Sequence, residues 1–153
     1  MQIQQIVSPG RIVLSLPAAN KDQLLEKLST LLGEGAPEVD TQVALRSLIK
    51  CEQLGSTGIG DGVALPHGRL KDLKQAVGAF VTLEQGIDYG ALDRKPVRMA
   101  FALLLPEGPN QEYLLLLRDL AVLFSNKLVR ENLLHAGSVE ELYSALTRTK
   151  TAA

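Results

Sequence analysis

The sequence predicts an α/β fold in which a central sheet is covered by helices on both faces. Two neighbouring apolar runs, Ala76 to Leu83 and Val97 to Leu105, lack polar alternation. Runs of that length suit strands buried on both faces. Ahead of them, leucines recur at helical spacing between residues 20 and 33, and further helical patterns fill residues 111 to 148. Helical segments on either side of two buried strands imply layers.

Taken in order, Met1 to Pro9 has no clear period and is expected to pack loosely or pair at an edge. Arg11 to Leu16 reads as a strand, closed by Pro17. Asn20 with Gln23 makes a capping box. Leu24, Leu25, Leu28, Leu31 and Leu32 then share one helical face, and Gly33 supplies the stop. Gly35-Ala36-Pro37 is a turn, and a second helix runs from Pro37 or Asp40 to Gln53. Its expected buried face is Ala44, Leu45, Leu48 and Ile49, with Gly55 beyond its end. Val63-Ala64-Leu65 is a short strand, and Leu70 to Lys74 a polar connection. Gln85 to Lys95, with Gly86, Gly90 and Asp93, reads as a loop between the two apolar strands. Glu107 to Asn110 is a turn. Gln111 to Phe124 is a helix whose leucines surround it, which implies deep burial. Leu128 to His135 is a short helix stopped by Gly137. Ser138 with Glu141 caps a last helix to about Arg148, and Thr149 to Ala153 is expected to fray. The order is strand, two helices, three strands, three helices.

Composition narrows the function. A chain of 153 residues suits a single domain, 1–153, with its own core. Net charge is −1 and tryptophan is absent, so there is no electrostatic or stacking case for nucleic acid. No apolar run nears the ~20 residues of a membrane span, and no basic-then-apolar leader is present. One cysteine cannot form an internal disulfide, which suits a cytoplasmic location. Two histidines and one cysteine show no zinc spacing, so no metal or other cofactor is expected.

The chemistry concentrates in Leu54 to Arg69. Glycines at 55, 58, 60, 62 and 68 allow positive φ and close backbone approach. Asp61-Gly62 is a turn pair, after which Pro66 fixes φ just before His67. A rigid turn therefore presents an imidazole among backbone N–H groups, an arrangement that suits a phosphoryl acceptor. The spacing matches neither G-x-G-x-x-G nor a P-loop, and there is no Gly-x-Ser-x-Gly elbow. On the residues alone, a structural glycine loop with a satisfied histidine explains the stretch equally well. Ser56 and Thr57 can hold phosphoryl oxygens or satisfy the turn. Arg69 can pair with phosphate or remain a solvated surface cation. His135 stands at a helix end, where a partial positive charge complements the dipole. Cys51 is expected to be a small buried hydrophobe rather than a nucleophile.

Ser56 to Gly68 resembles the active-site segment of the phosphotransferase-system enzyme IIA family, fructose/mannitol type, nitrogen-regulatory branch. Gln75 to Val81, Phe101 to Pro106 and Ser138 to Tyr143 resemble further family segments. The resemblance implies a three-layer α/β/α sandwich with a mixed sheet. It implies a phosphoryl group arriving on His67 from an HPr-like phosphocarrier; Ser56, Thr57, Gly68 and Arg69 are the residues expected around the phosphate from their own chemistry. Regulatory target proteins are the implied further partners, with no nucleic acid and no membrane. Two departures stand out. The family's arginine aligns with Cys51 and its second histidine with Tyr113, so phosphoryl transfer is expected to be slow. A sugar-specific IIA subunit, or a protein-binding regulator that is not phosphorylated, are the alternatives. The surface around His67 is expected to be a docking patch, with some of the apolar residues Ile59, Leu65 and Leu70 left uncovered.

Overall fold

The computed structural model describes residues 2–108 and 110–148. Among the described residues, five helices and six strands follow in the order β1 (Ile12–Leu16), α1 (Lys21–Gly35), α2 (Thr41–Leu54), β2 (Gly58–Gly60), β3 (Val63–Ala64), β4 (His67–Leu70), β5 (Val77–Ile87), β6 (Val97–Pro106), α3 (Gln111–Ser125), α4 (Lys127–His135) and α5 (Val139–Arg148). Two 3₁₀ turns, Ile3–Gln5 and Pro9–Arg11, precede β1.

Each helix start has a chemical cause. Asn20 Oδ1 accepts from the Gln23 N–H at 2.9 Å, and the Gln23 side chain accepts from the Ala19 N–H. Asp40, Asn110 and Asn126 cap α2, α3 and α4 in the same way. Ser138 Oγ accepts from the Glu141 N–H, and Glu141 accepts from the Gly137 N–H, one residue outside the standard box.

The sheet order is β1-β5-β6-β3-β2, with β4 also paired to β6. β5 and β6 are antiparallel, whereas β1 runs parallel to β5, and β3 and β4 run parallel to β6. The sheet is therefore mixed. Side chains alternate along β6. Met99, Phe101, Leu103 and Leu105 meet α3, α4 and α5 in one core. Ala100, Ala102 and Leu104 meet α1 and α2 in the other. Phe80, Phe101 and Phe124 pack with ring centroids 6.0–6.2 Å apart at the centre of the first core. Among the described residues, no helix is long and apolar enough to cross a membrane.

Several expectations are corrected. Five strands, not three, lie between α2 and α3, because the glycine stretch itself pairs as β2 and β4. Leu70 and Leu73 are buried, so the expected polar connection begins with a strand and folds inward. β5 continues to Ile87, which pairs with Val97, so only the remainder of Gln85 to Lys95 is loop. α1 runs past Gly33 to Gly35. The N-terminal segment is not loose: Ile3, Ile6 and Val7 are buried, and Ile6 O accepts from Gly78 N–H and Arg11 Nη2. α3 is not buried all round, because only one face reaches the sheet. Leu116, Leu120, Leu123 and Phe124 are buried there, while Leu114, Leu115 and Val122 are exposed. Ile49 is exposed for the same reason on α2. The expected fray at Thr149 to Ala153 lies outside the described residues.

Candidate functional site

His67 is placed by a broken strand. β3 pairs with Met99 and Ala100 of β6, and β4 resumes the pairing at Leu103. Between them stand Leu65 and Pro66. Proline has no N–H, so the ladder must break there. Leu65 N–H turns aside to Thr57 O at 2.9 Å, and Pro66 O still accepts from Leu103 N–H. The chain re-enters the sheet at His67, which is half-buried. Its Nδ1 lies 2.7 Å from Leu65 O. A carbonyl oxygen only accepts, so Nδ1 carries the proton and Nε2 keeps its lone pair.

Gly68 follows because α2 lies against it. A Cβ there would fall on Ser47 Oγ and would stand 2.8 Å from Ser47 Cβ. Upstream, the β2–β3 turn needs positive φ at Gly60, Asp61 and Gly62. Asp93 Oδ2 accepts from the Asp61 N–H at 2.8 Å, and Asp93 Oδ1 from the Lys95 N–H at 3.1 Å. These bonds hold the Asp93 carboxyl below its ordinary value. They therefore act in full above the usual carboxylate range and are lost as pH falls through the lowered value. The Lys95 amide resonance, which reports the Asp93 carboxyl, is expected to titrate with a midpoint below pH ~3.9, the ordinary aspartate value. Movement with a midpoint above that value would contradict the assignment.

A buried carboxylate anchors the stretch at its other end. Glu52, in the last turn of α2, has a side chain 5% exposed. Glu52 accepts from Thr57 N–H, Thr57 Oγ1 and Tyr89 OH, the last at 2.8 Å. Lys21 Nζ pairs with Glu52 Oε2 at 2.6 Å and lies 4.4 Å from the centroid of the Tyr89 ring. Burial, and then the Glu52 carboxylate, raise the Tyr89 hydroxyl far above its usual range, so it stays a phenol and a donor.

An open cleft of about 540 Å³ joins these parts. Cys51, Leu54, Ser56, Thr57, Ile59, Leu65 and His67 line it from one side, and Leu117, Arg118 and Ala121 of α3 from the other. Of the residues expected at a phosphate, Ser56 and Thr57 are in the cleft with His67. Ser56 Oγ accepts from Gly58 N–H at 3.1 Å, which leaves its own proton to donate. Both Thr57 donors are directed at Glu52. Gly68 is buried against α2, and Arg69 is exposed with Nη1 3.3 Å from Gly108 O. Cys51 is in the cleft, but Tyr113 lines a separate groove with Gln5, Ile6 and Ala76. His135 is elsewhere, at the end of α4, with Nδ1 2.7 Å from Glu131 O. Of the expected apolar patch only Ile59 is exposed, at 44%, since Leu65 and Leu70 are core. Leu54, 85% exposed, takes their place at the rim.

Sequence reasoning missed Arg118, Glu52, Lys21 and Tyr89. One signal was available for Glu52. It is the lone carboxylate of α2 and sits in the last turn, where the helix dipole disfavours negative charge. Such a residue requires another reason to be there.

Cys51 is held as a thiol. Partial burial and then Glu52 raise its pKa, with Arg69 acting in the opposite direction. Alkylation of Cys51 by iodoacetamide is expected to reach half its maximal rate above pH ~8.5, the ordinary cysteine value. A midpoint at or below that would show an activated thiolate instead.

Comparison with known proteins agrees on one family. Residues 5–149 match the family model described as phosphoenolpyruvate-dependent sugar phosphotransferase system, EIIA 2. The chain is 38% identical over 143 residues to a nitrogen regulatory protein of Pseudomonas aeruginosa, covering 94% of this chain and 93% of that one. It is 39% identical over 132 residues to the nitrogen regulatory protein of Escherichia coli, covering 86% and 80%. The crystal structure of the nitrogen regulatory protein IIA-Ntr from Neisseria meningitidis superposes with a TM-score of 0.89 at 40% identity, covering 95% of this chain and 99% of that one. The mannitol IIA of Escherichia coli shares the fold, with a TM-score of 0.77 at 23% identity over 92% of this chain and 98% of that one.

Proposed function

Since the chain belongs to the EIIA type 2 family of the phosphoenolpyruvate-dependent sugar phosphotransferase system, in its nitrogen-regulatory branch, we propose that it is a phosphocarrier. It accepts a phosphoryl group on His67 from an HPr-like phosphohistidine protein, and its phosphorylation state decides which regulatory proteins it binds. A single IIA domain, 1–153, does this work. One observation carries the reading: the bond between His67 Nδ1 and Leu65 O, which leaves the Nε2 lone pair available. In the transfer, that pair forms the new N–P bond while the carrier's N–P bond breaks. The departing electron pair returns to the carrier's imidazole nitrogen. His67 keeps its Nδ1 proton, and Leu65 O steadies the positive charge left on the ring.

The incoming oxygens need donors. Ser56 supplies a hydroxyl, and Arg118 lines the cleft with a guanidinium whose Nη2 also donates to Asp119 Oδ1 at 3.1 Å. Arg69, exposed on β4 two residues beyond His67 and with a charge that bears on the Cys51 thiol, is the second cation this reading assigns to the phosphate. Thr57 contributes its position and Gly68 its lack of a side chain. Leu54 and Ile59, exposed at the rim, suit a transient apolar contact with the carrier. Cys51 leaves the family's arginine position with a weak donor, so transfer is slow.

Incubation with phosphoenolpyruvate, enzyme I and the carrier, followed over time, tests this. Arg118→Leu is expected to slow labelling about tenfold, the effect of losing ~1.4 kcal/mol from the transition state. Cys51→Arg is expected to speed it by a similar factor. Tyr113→His, in a different groove, is expected to change it little. An unlabelled unmodified protein would favour the regulator that only binds partners.

A further inference from the structure

We propose that Lys21, Glu52 and Tyr89 form a positioning unit for the phosphoryl site, in which Lys21 cancels the charge of the carboxylate that holds the glycine loop. The inference rests on the phosphoacceptor reading of His67 and extends it to residues outside the cleft.

The loop from Gly55 to Gly60 must hold its shape although it is rich in glycine and short of side-chain contacts. Glu52 supplies the hold. Thr57 N–H and Thr57 Oγ1 both donate to the carboxylate, and Tyr89 OH donates to it as well, with the two hydroxyl oxygens 3.0 Å apart. Thr57 is thereby spent inward, and its neighbour Ser56 is left facing the cleft. A carboxylate is the natural anchor here, because it accepts several bonds at once.

That anchor carries a cost specific to this chemistry. The phosphoryl group brings about two negative charges. Glu52 is buried directly behind the wall formed by Cys51 and Thr57, where solvent screens poorly. An uncompensated carboxylate there repels the incoming phosphoryl group as well as its phosphorylated product. Lys21, the first residue of α1, reaches across with its Nζ 2.6 Å from Glu52 Oε2 and closes the pair. Its position over the Tyr89 ring fixes the ammonium on that side. The loop thus gains a multidentate anchor while the pair behind Cys51 and Thr57 stays nearly neutral.

Packing and electrostatics predict different results, and a double-mutant cycle separates them. The rate of His67 labelling and the equilibrium with the phosphorylated carrier are measured for the unmodified protein, Lys21→Met, Glu52→Gln and the double variant, each with its thermal unfolding. Lys21→Met leaves the carboxylate unpaired, and labelling is expected to slow at least tenfold, with the equilibrium shifted toward the carrier by a similar factor. Glu52→Gln removes the charge, keeps one acceptor oxygen for the loop, and serves as the uncharged background in which the loss of Lys21 is read again. The double variant is expected to recover to within about threefold, although it still lacks the ion pair. A purely structural role predicts the reverse, with the double variant no faster than Lys21→Met. Lys21→Met labelling at the full rate, or a folded double variant that stays tenfold slow, overturns the proposal. Should Lys21→Met fail to fold, Lys21→Gln takes its place: a loss of at least tenfold is expected there, and labelling at the full rate overturns the proposal. Failure of the unmodified protein to label sinks the His67 reading and this unit with it.

Discussion

Gly68→Ala is expected to destabilise the protein by about 3 kcal/mol, at the upper end for overpacking a tight contact. The added methyl would fall on Ser47 Oγ and come within 3.0 Å of the Ser47 backbone carbonyl carbon. Neither partner can yield easily. Ser47 is on α2, which packs on the sheet through Ala44 and Leu48, and Gly68 is held in β4 by its pairing with Leu104. The strain therefore has to move β4 away from α2, and His67 moves with it. Denaturant unfolding measures the first effect and phosphoryl acceptance the second. Ser47→Gly in the same chain is expected to restore only part of the stability, because the contact with the α2 backbone remains. A Gly68→Ala protein as stable as the original would mean that β4 and α2 are not in contact as described.

His67→Ala is expected to abolish phosphoryl acceptance while costing only about 1 kcal/mol of stability, the value of one part-buried hydrogen bond. His67 is half-buried, at the edge of the core, and Leu65 O is its hydrogen-bond partner. His135→Ala is expected to label normally, since His135 stands on α4 in the groove toward α5. Intact labelling of the His67→Ala protein would move the acceptor elsewhere and end the phosphocarrier reading as framed.

The helices were legible because two signals coincide at their starts. Asn20 with Gln23 and Ser138 with Glu141 mark the caps, and leucine spacing marks the buried faces. β5 and β6 were legible as apolar runs. β2 and β4 were not, since Gly58, Gly60 and Gly68 carry no strand propensity. They pair only because β3 and β6 present partners. The tail of β5 was hidden for a related reason: Glu84, Gln85 and Gly86 are exposed and read as loop until Ile87 meets Val97. For α3, the number of leucines could not say which face the sheet would cover. At the site, the Pro66-His67-Gly68 turn was visible in the chain itself. Its supports were not, because Lys21, Glu52 and Tyr89 are brought together by α1, α2 and the loop after β5. Arg118 reaches the cleft only through the way α3 packs.

The most direct measurement is the position of the phosphoryl group on the ring. Protein labelled with ¹⁵N in its imidazoles, phosphorylated through the carrier and examined by NMR, distinguishes the two nitrogens of each histidine. Phosphorylation is expected on Nε2 of His67, with Nδ1 still protonated and bonded to Leu65 O. A phosphoryl group on Nδ1 of His67, on His135, or on no histidine would contradict it.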